Sequence, residues 1–152
     1  DGGVVKRVTQ ASAYPDEKPK FGDEAFAHFN GSVVYVNDNE KEWNGTRVAG
    51  RLFDSSMRQG NYPRAFRLDD SEAFPRGLEL GLLSMARGEK ASIFVRYDYA
   101  YGTSGKQLHT GAFVPPNATL QYDIHMLRWN ERDLFNDGGV LVRQVTAPGG
   151  EQ

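Results

Sequence analysis

Polar and apolar residues trade places along this chain mostly with a period of two, interrupted at short intervals by Gly and Pro, so strands should dominate. From Asp23 to Phe29 the alternation puts Ala25, Ala27 and Phe29 on one face and Glu24, Phe26 and His28 on the other. This predicts a strand partly buried on both sides, resumed at Val33 to Val36 after Gly31. Ala91 to Val95 reads as a buried strand. Ala118 to Trp129 alternates most cleanly, with Leu120, Tyr122, Ile124 and Met126 facing one way and Gln121, Asp123 and His125 the other. One segment follows a helical period instead. Between Pro75 and Met85, Leu78 and Leu82 are i, i+4 neighbours and Met85 extends the stripe; Pro75 suits the first helical position and Gly88 can supply a left-handed terminus. One helix covering one sheet of about five strands is an α+β arrangement.

Two stretches stand outside this plan. Asn37 to Arg51 is polar and contains Gly, which predicts a long loop or protruding hairpin between two strands. Asp1-Gly2-Gly3-Val4-Val5-Lys6-Arg7 returns as Asp137-Gly138-Gly139-Val140-Leu141-Val142-Arg143, with five of seven positions identical. The repeat predicts a tandem arrangement: one domain over 1–136 that carries the 37–51 insertion, then the start of a following module or a linker over 137–152.

Composition narrows the function. A chain of 152 residues fits one domain, and 39% hydrophobic with 12% aromatic residues is too much core material for a disordered segment. Eighteen basic and 20 acidic residues are interspersed, for a net charge of −2, so no basic face is expected to attract nucleic acid or anionic lipid. No apolar run approaches the roughly 20 residues of a membrane span. Zero Cys excludes disulfides, thiolate nucleophiles and cysteine-ligated zinc, and points to a reducing compartment, cytoplasmic or nuclear. His28, His109 and His125 lack metal-ligand spacing, and neither a nucleophile elbow nor a phosphate loop occurs. Asp69, Asp70 and Glu72 read as a solvated turn, so no metal and no cofactor is assigned. Asn30, Asn44 and Asn117 match the glycosylation acceptor pattern but read as turn formers.

Four separated segments rise above this background. Phe53-Asp54-Ser55-Ser56 follows the long loop, and Arg76-Gly77-Leu78-Glu79 opens the helix. Asp98-Tyr99-Ala100-Tyr101-Gly102 follows the buried strand, and Val114-Pro115-Pro116-Asn117-Ala118-Thr119-Leu120 leads into the last one. In that order, with Gly88-Glu89-Lys90 before the buried strand, they resemble the FK506-binding-protein (FKBP) family of peptidyl-prolyl cis/trans isomerases, or rotamases, from about Val4 to Leu127. The resemblance implies a twisted antiparallel sheet wrapped around the short helix, with a cavity between them. It implies a pocket made by Phe29, Phe53, Asp54, Leu78, Tyr101, Val114 and Tyr122, with Phe74 and Pro75 at its edge. Tyr101 would offer its hydroxyl to the substrate carbonyl, Asp54 would be the polar anchor, Phe53 and Tyr122 aromatic walls, and Val114 part of the apolar rim. Read without the family, Asp54 is a turn or cap residue and Phe53 and Tyr101 are ordinary core.

Such residues suit the reaction. Rotation about an X-Pro bond meets a barrier of about 18–20 kcal/mol because the amide is conjugated. No nucleophile is required: a water-poor aromatic cavity that binds the twisted amide better than either planar form lowers that barrier. Against the family pattern, Phe29 replaces a Tyr whose hydroxyl would hold Asp54, and Leu78 replaces a Trp floor with less aromatic area. Pro75 lacks the N–H that the family uses as a donor, and Tyr62 to Phe66 blurs the far aromatic wall. These departures imply modest turnover and weak binding of the macrolides tacrolimus and rapamycin. The alternative is a catalytically inactive binding module of a multidomain immunophilin, a co-chaperone whose other domains, sister FKBP-like units or tetratricopeptide repeats, would contact a chaperone. Proline-containing protein clients are the expected partners under either reading.

Overall fold

Two long strands form the spine of the molecule, β2 (Glu24–Val36) and β10 (Ala118–Asn130). They pair antiparallel from Ala118 opposite Val36 to Asn130 opposite Glu24, with register shifts after Thr119 and after Met126. The computed structural model describes residues 2–58, 60–69 and 72–131, and everything below concerns these. The second copy of the Asp-Gly-Gly repeat, and the whole of 137–152, lie outside the described residues.

The free edge of β10 takes β7 (Lys90–Val95), and β7 takes β1 (Val4–Gln10). The far edge of β2 is shared end to end by β5 (Leu52–Ser55) and β6 (Arg64–Arg67). The sheet therefore runs β1-β7-β10-β2-β5, all antiparallel, with β6 as an additional partner of β2. This is the antiparallel sheet with one short helix that the alternation predicts. Strand alternation decides the core face: Ala25, Ala27, Phe29, Ile93, Val95, Leu120, Tyr122, Ile124 and Met126 are all buried, whereas Glu24, Phe26 and His28 are half-buried on the other side.

The helix α1 (Arg76–Leu83) lies across the core face with Leu78 and Leu82 buried beneath it. Two glycines one helical turn apart set its distance from the sheet. A Cβ on Gly77 would overlap Val95, and one on Gly81 would overlap Ile93, so these positions let the helix backbone settle directly on β7. The boundaries differ from the sequence expectation at both ends. Pro75 sits one place outside the helix as its N-cap, with φ −66° and ψ 149°, because its carbonyl already accepts from Leu78 and Glu79 while its own backbone remains extended. Gly88 does adopt a left-handed φ of 85°, but it lies beyond the helix end; Ser84 is the C-cap, and Gly88 serves the turn in which Glu89 N–H donates to the Ala86 carbonyl and the chain enters β7.

The excursion over 37–51 contains a hairpin, β3 (Glu42–Trp43) and β4 (Thr46–Arg47), turned by Asn44 and Gly45 at φ 52° and 79°. A second small hairpin, β8 (Lys106–Gln107) with β9 (Phe113–Val114), meets it where the Trp43 and Phe113 rings stack with centroids 5.3 Å apart. Of the three Asn read as turn formers, Asn44 and Asn117 have positive φ; Asn30 instead lies within β2, opposite Asp123 and Ser55.

Candidate functional site

The sheet's core face and the start of α1 enclose a cavity of about 480 Å³. Its apolar wall is one continuous ring cluster. Phe29 meets Phe66 edge-on at 5.6 Å, Phe66 meets Phe74 edge-on at 5.2 Å, and Phe53 meets Tyr122 edge-on at 5.7 Å, with Phe29 and Tyr122 tilted at 6.3 Å. Leu78 closes the floor, and Phe74 and Pro75 form the edge on the helix side. Phe29, Phe53, Asp54, Leu78, Tyr101, Tyr122, Phe74 and Pro75 are thus brought together around one space.

Val114 is the exception. It is fully buried in β9, part of the core cluster, and is not one of the residues lining the cavity. The rim on that side is built by Leu108, His109 and Thr110, the connection between β8 and β9. Thr110 Oγ1 donates to the Phe53 carbonyl at 2.9 Å and so ties this loop to β5.

At the polar end, the hydroxyls of Tyr101 and Tyr122 are hydrogen-bond partners. Burial pushes the Tyr101 phenol up, against the stabilising bond from Tyr122, and the charge of Asp54 adds to the rise; burial holds Tyr122 well above its ordinary value. Both rings therefore stay protonated through neutral pH. The Asp-Ser-Ser turn is held from behind: Asp54 Oδ1 accepts from Ser55 N at 2.8 Å, Ser55 Oγ donates to Asn30 Oδ1 at 2.6 Å, and Ser56 Oγ accepts from Phe29 N at 3.0 Å.

Sequence reasoning left the cavity residues Phe66, Arg58 and His109 unassigned, and it missed Arg64. Its Nη1 and Nη2 each donate to a different oxygen of Asp54 at 3.2 Å, and its guanidinium carbon stands 5.0 Å from the centroid of Phe29. The carboxylate that Phe29 cannot hold for want of a hydroxyl is held by this bidentate pair instead. A signal was present: Arg64 and Phe66 are i, i+2 in a strand and must share a face, so burial of Phe66 carries Arg64 to the cavity. They face Ala27 and Ala25 across the ladder, whose small side chains leave room for both.

Among the described residues no group of three or more His, Asp and Glu could hold a metal ion, and no helix is long and apolar enough to cross a membrane. The family model for FKBP-type peptidyl-prolyl cis-trans isomerases matches residues 15–127. FK506-binding protein 59 of Drosophila melanogaster is 27% identical over 146 residues, which span 95% of this chain and 28% of that protein, so the chain corresponds to little more than a quarter of that relative. Among solved structures, the three FKBP domains of wheat FKBP73 superpose with a TM-score of 0.63 at 25% identity, covering 86% of this chain and 48% of that one. FkpA from Escherichia coli gives 0.62 at 25%, covering 88% and 54%. The N-terminal domain of FKBP42 from Arabidopsis thaliana gives 0.64 at 23%, over 86% and 89%, a likeness of fold.

Proposed function

Because the chain belongs to the FKBP-type peptidyl-prolyl cis-trans isomerase family, we propose that it isomerises X-Pro bonds in protein clients by holding the twisted amide in its aromatic cavity. The observation that carries this reading is that Tyr101 and Asp54 line one cavity together with the ring cluster of Phe29, Phe53, Phe66, Phe74 and Tyr122. A proline ring seats against Phe29, Phe53, Phe66 and Tyr122, and Leu78 closes the floor. Tyr101 donates its hydroxyl proton to the substrate carbonyl, with Tyr122 as its neighbour in the hydrogen-bonded pair. Removing the amide from water disfavours its charge-separated resonance form, which is the form that makes the bond stiff. Each tenfold in rate requires about 1.4 kcal/mol of preference for the twisted geometry.

Leu78 offers less ring area than an aromatic floor, and Pro75 presents a carbonyl but no N–H at the edge. Turnover and macrolide affinity are accordingly modest. These two residues favour a second reading, a binding module without catalysis that serves a longer multidomain immunophilin; that the FKBP73 structure contains three FKBP domains supports such a setting. Exchange NMR or a protease-coupled assay on a short X-Pro peptide separates the two. Isomerisation above the buffer rate that falls at least tenfold in Tyr101→Phe or Asp54→Ala supports catalysis at this site. Rates equal to buffer leave only the binding module.

A further inference from the structure

Charge is distributed unevenly around the cavity. Apart from tyrosines, the ionisable residues that line it are Asp54, Arg58, Arg64 and His109, so two guanidiniums stand against one carboxylate in a chain of net charge −2. Arg64 reaches in from β6 beside the rings that would hold a proline. Its contacts with Asp54 use two of its five N–H groups, and at 3.2 Å they are longer than the 2.7–2.9 Å typical of strong charge-assisted bonds. The Arg64 side chain is 41% exposed, so a competing carboxylate can reach it from the mouth. Arg58 stands at that mouth, exposed, with Nη2 3.4 Å from the Thr110 carbonyl, and His109 is exposed beside it.

We propose that this pocket selects proline segments that carry a carboxylate immediately beside the proline, with Arg64 and Arg58 as its specificity-determining residues. The inference rests on the X-Pro reading above. A proline seated on Phe29 and Phe66 leaves its neighbouring side chains at the mouth. There a Glu or Asp meets two cations while a Lys is repelled by them. Discounted for solvent and for the competing Asp54, this attraction amounts to about a tenfold preference at low salt.

The test uses the isotope-labelled chain and four matched short peptides, bearing Glu, Leu or Lys before the proline, or Glu after it. Binding is read by NMR titration and isomerisation by exchange spectroscopy in the same samples. Either Glu peptide should bind about tenfold more tightly than the Lys peptide, with Leu between, and the ratio should shrink to about twofold as the Debye length falls towards 3 Å in high salt. Arg64→Gln should bring the ratio close to one. Arg58→Ala, an exposed change with little power to disturb folding, should reduce it several-fold. Equal binding of Glu and Lys peptides by the unaltered chain, or a preference untouched by both substitutions, overturns the inference, as does binding of none of them. A Glu preference in binding without isomerisation of any peptide would sink the isomerase reading and leave the charge selection standing.

Discussion

A Cβ placed on Gly31 would lie 2.8 Å from Cζ of Phe53 and 3.1 Å from Cε1 of Tyr122. Gly31 is the β2 residue paired with Tyr122 on one side and with Asp54 on the other, so the missing side chain is what lets the two rings meet edge-on at the cavity wall. Gly31→Ala should overpack this point and cost about 1–3 kcal/mol, since both rings are buried and locked edge-on against each other. Urea unfolding measures the loss, and peptide titration should show weakened binding in the same variant. An unchanged midpoint would mean that the Phe53 ring yields freely and the wall is not rigid.

The long elements were legible in the sequence for a physical reason. β2 and β10 are thirteen residues long and bury one face along most of their length, so their alternation is strong, and α1 concentrates its apolar contacts on Leu78 and Leu82. β5 and β6 have only four residues each, and their place on β2 is decided by pairing rather than by local pattern. Arg64 belongs to this second group: its i, i+2 spacing from Phe66 hints at a shared face, but a four-residue strand carries that signal weakly, and the register of β6 against Ala27 is what fixes it. Val114 is the converse case: its two-residue strand carries no periodic signal to say which side it faces, and the structure buries it in the core rather than on the cavity lining.

The tyrosine pair makes two substitutions unequal. Tyr101→Phe leaves the fully enclosed Tyr122 hydroxyl without its partner and should cost about 1–3 kcal/mol, whereas Tyr122→Phe strands only the less enclosed Tyr101 hydroxyl and should cost about 0.5–1.5 kcal/mol. The pH sign follows from the raised phenols. The unfolded chain releases these protons near pH 10 while the folded one retains them, so their stabilising contribution is complete below about pH 10 and is lost as pH rises beyond it. Urea midpoints from pH 8 to 11 should hold and then fall, with a shallower fall in Tyr122→Phe. Identical alkaline slopes in both proteins would show that these phenols are not the cause.

Lys6 joins the edge strand to the turn after the helix. Its Nζ lies 2.8 Å from Glu89 Oε2 and 2.9 Å from the Ser84 carbonyl, and Glu89 Oε1 accepts from Ala86 N at 3.1 Å. The Glu89 side chain is only 8% exposed. Lys6→Met should strand that carboxylate and cost about 3 kcal/mol, the lower end for breaking a buried pair because Lys6 itself is partly exposed. The double variant Lys6→Met with Glu89→Gln should recover part of the loss. Additive losses in the double-mutant cycle would deny the coupling.

On the outer face of the sheet, His125 stands opposite His28 on β2 and Lys90 on β7. Partial burial lowers its pKa, and the charge of Lys90 and then of His28 lower it further. The nearby Asp123 carboxylate is engaged by Ser92 Oγ at 2.7 Å and Gln121 Nε2 at 2.9 Å. A depressed base means that the unfolded chain takes up this proton first, near pH 6.5, so the stabilising contribution is present above that pH and is lost as pH falls towards the folded pKa. Thermal midpoints should therefore drop between about pH 7.5 and 5, and His125→Gln should flatten part of that drop. Lys90→Ala should flatten it less, because it removes a charge contribution that ranks below burial and leaves the burial in place. An acid limb of unchanged steepness in His125→Gln would assign the loss to other groups.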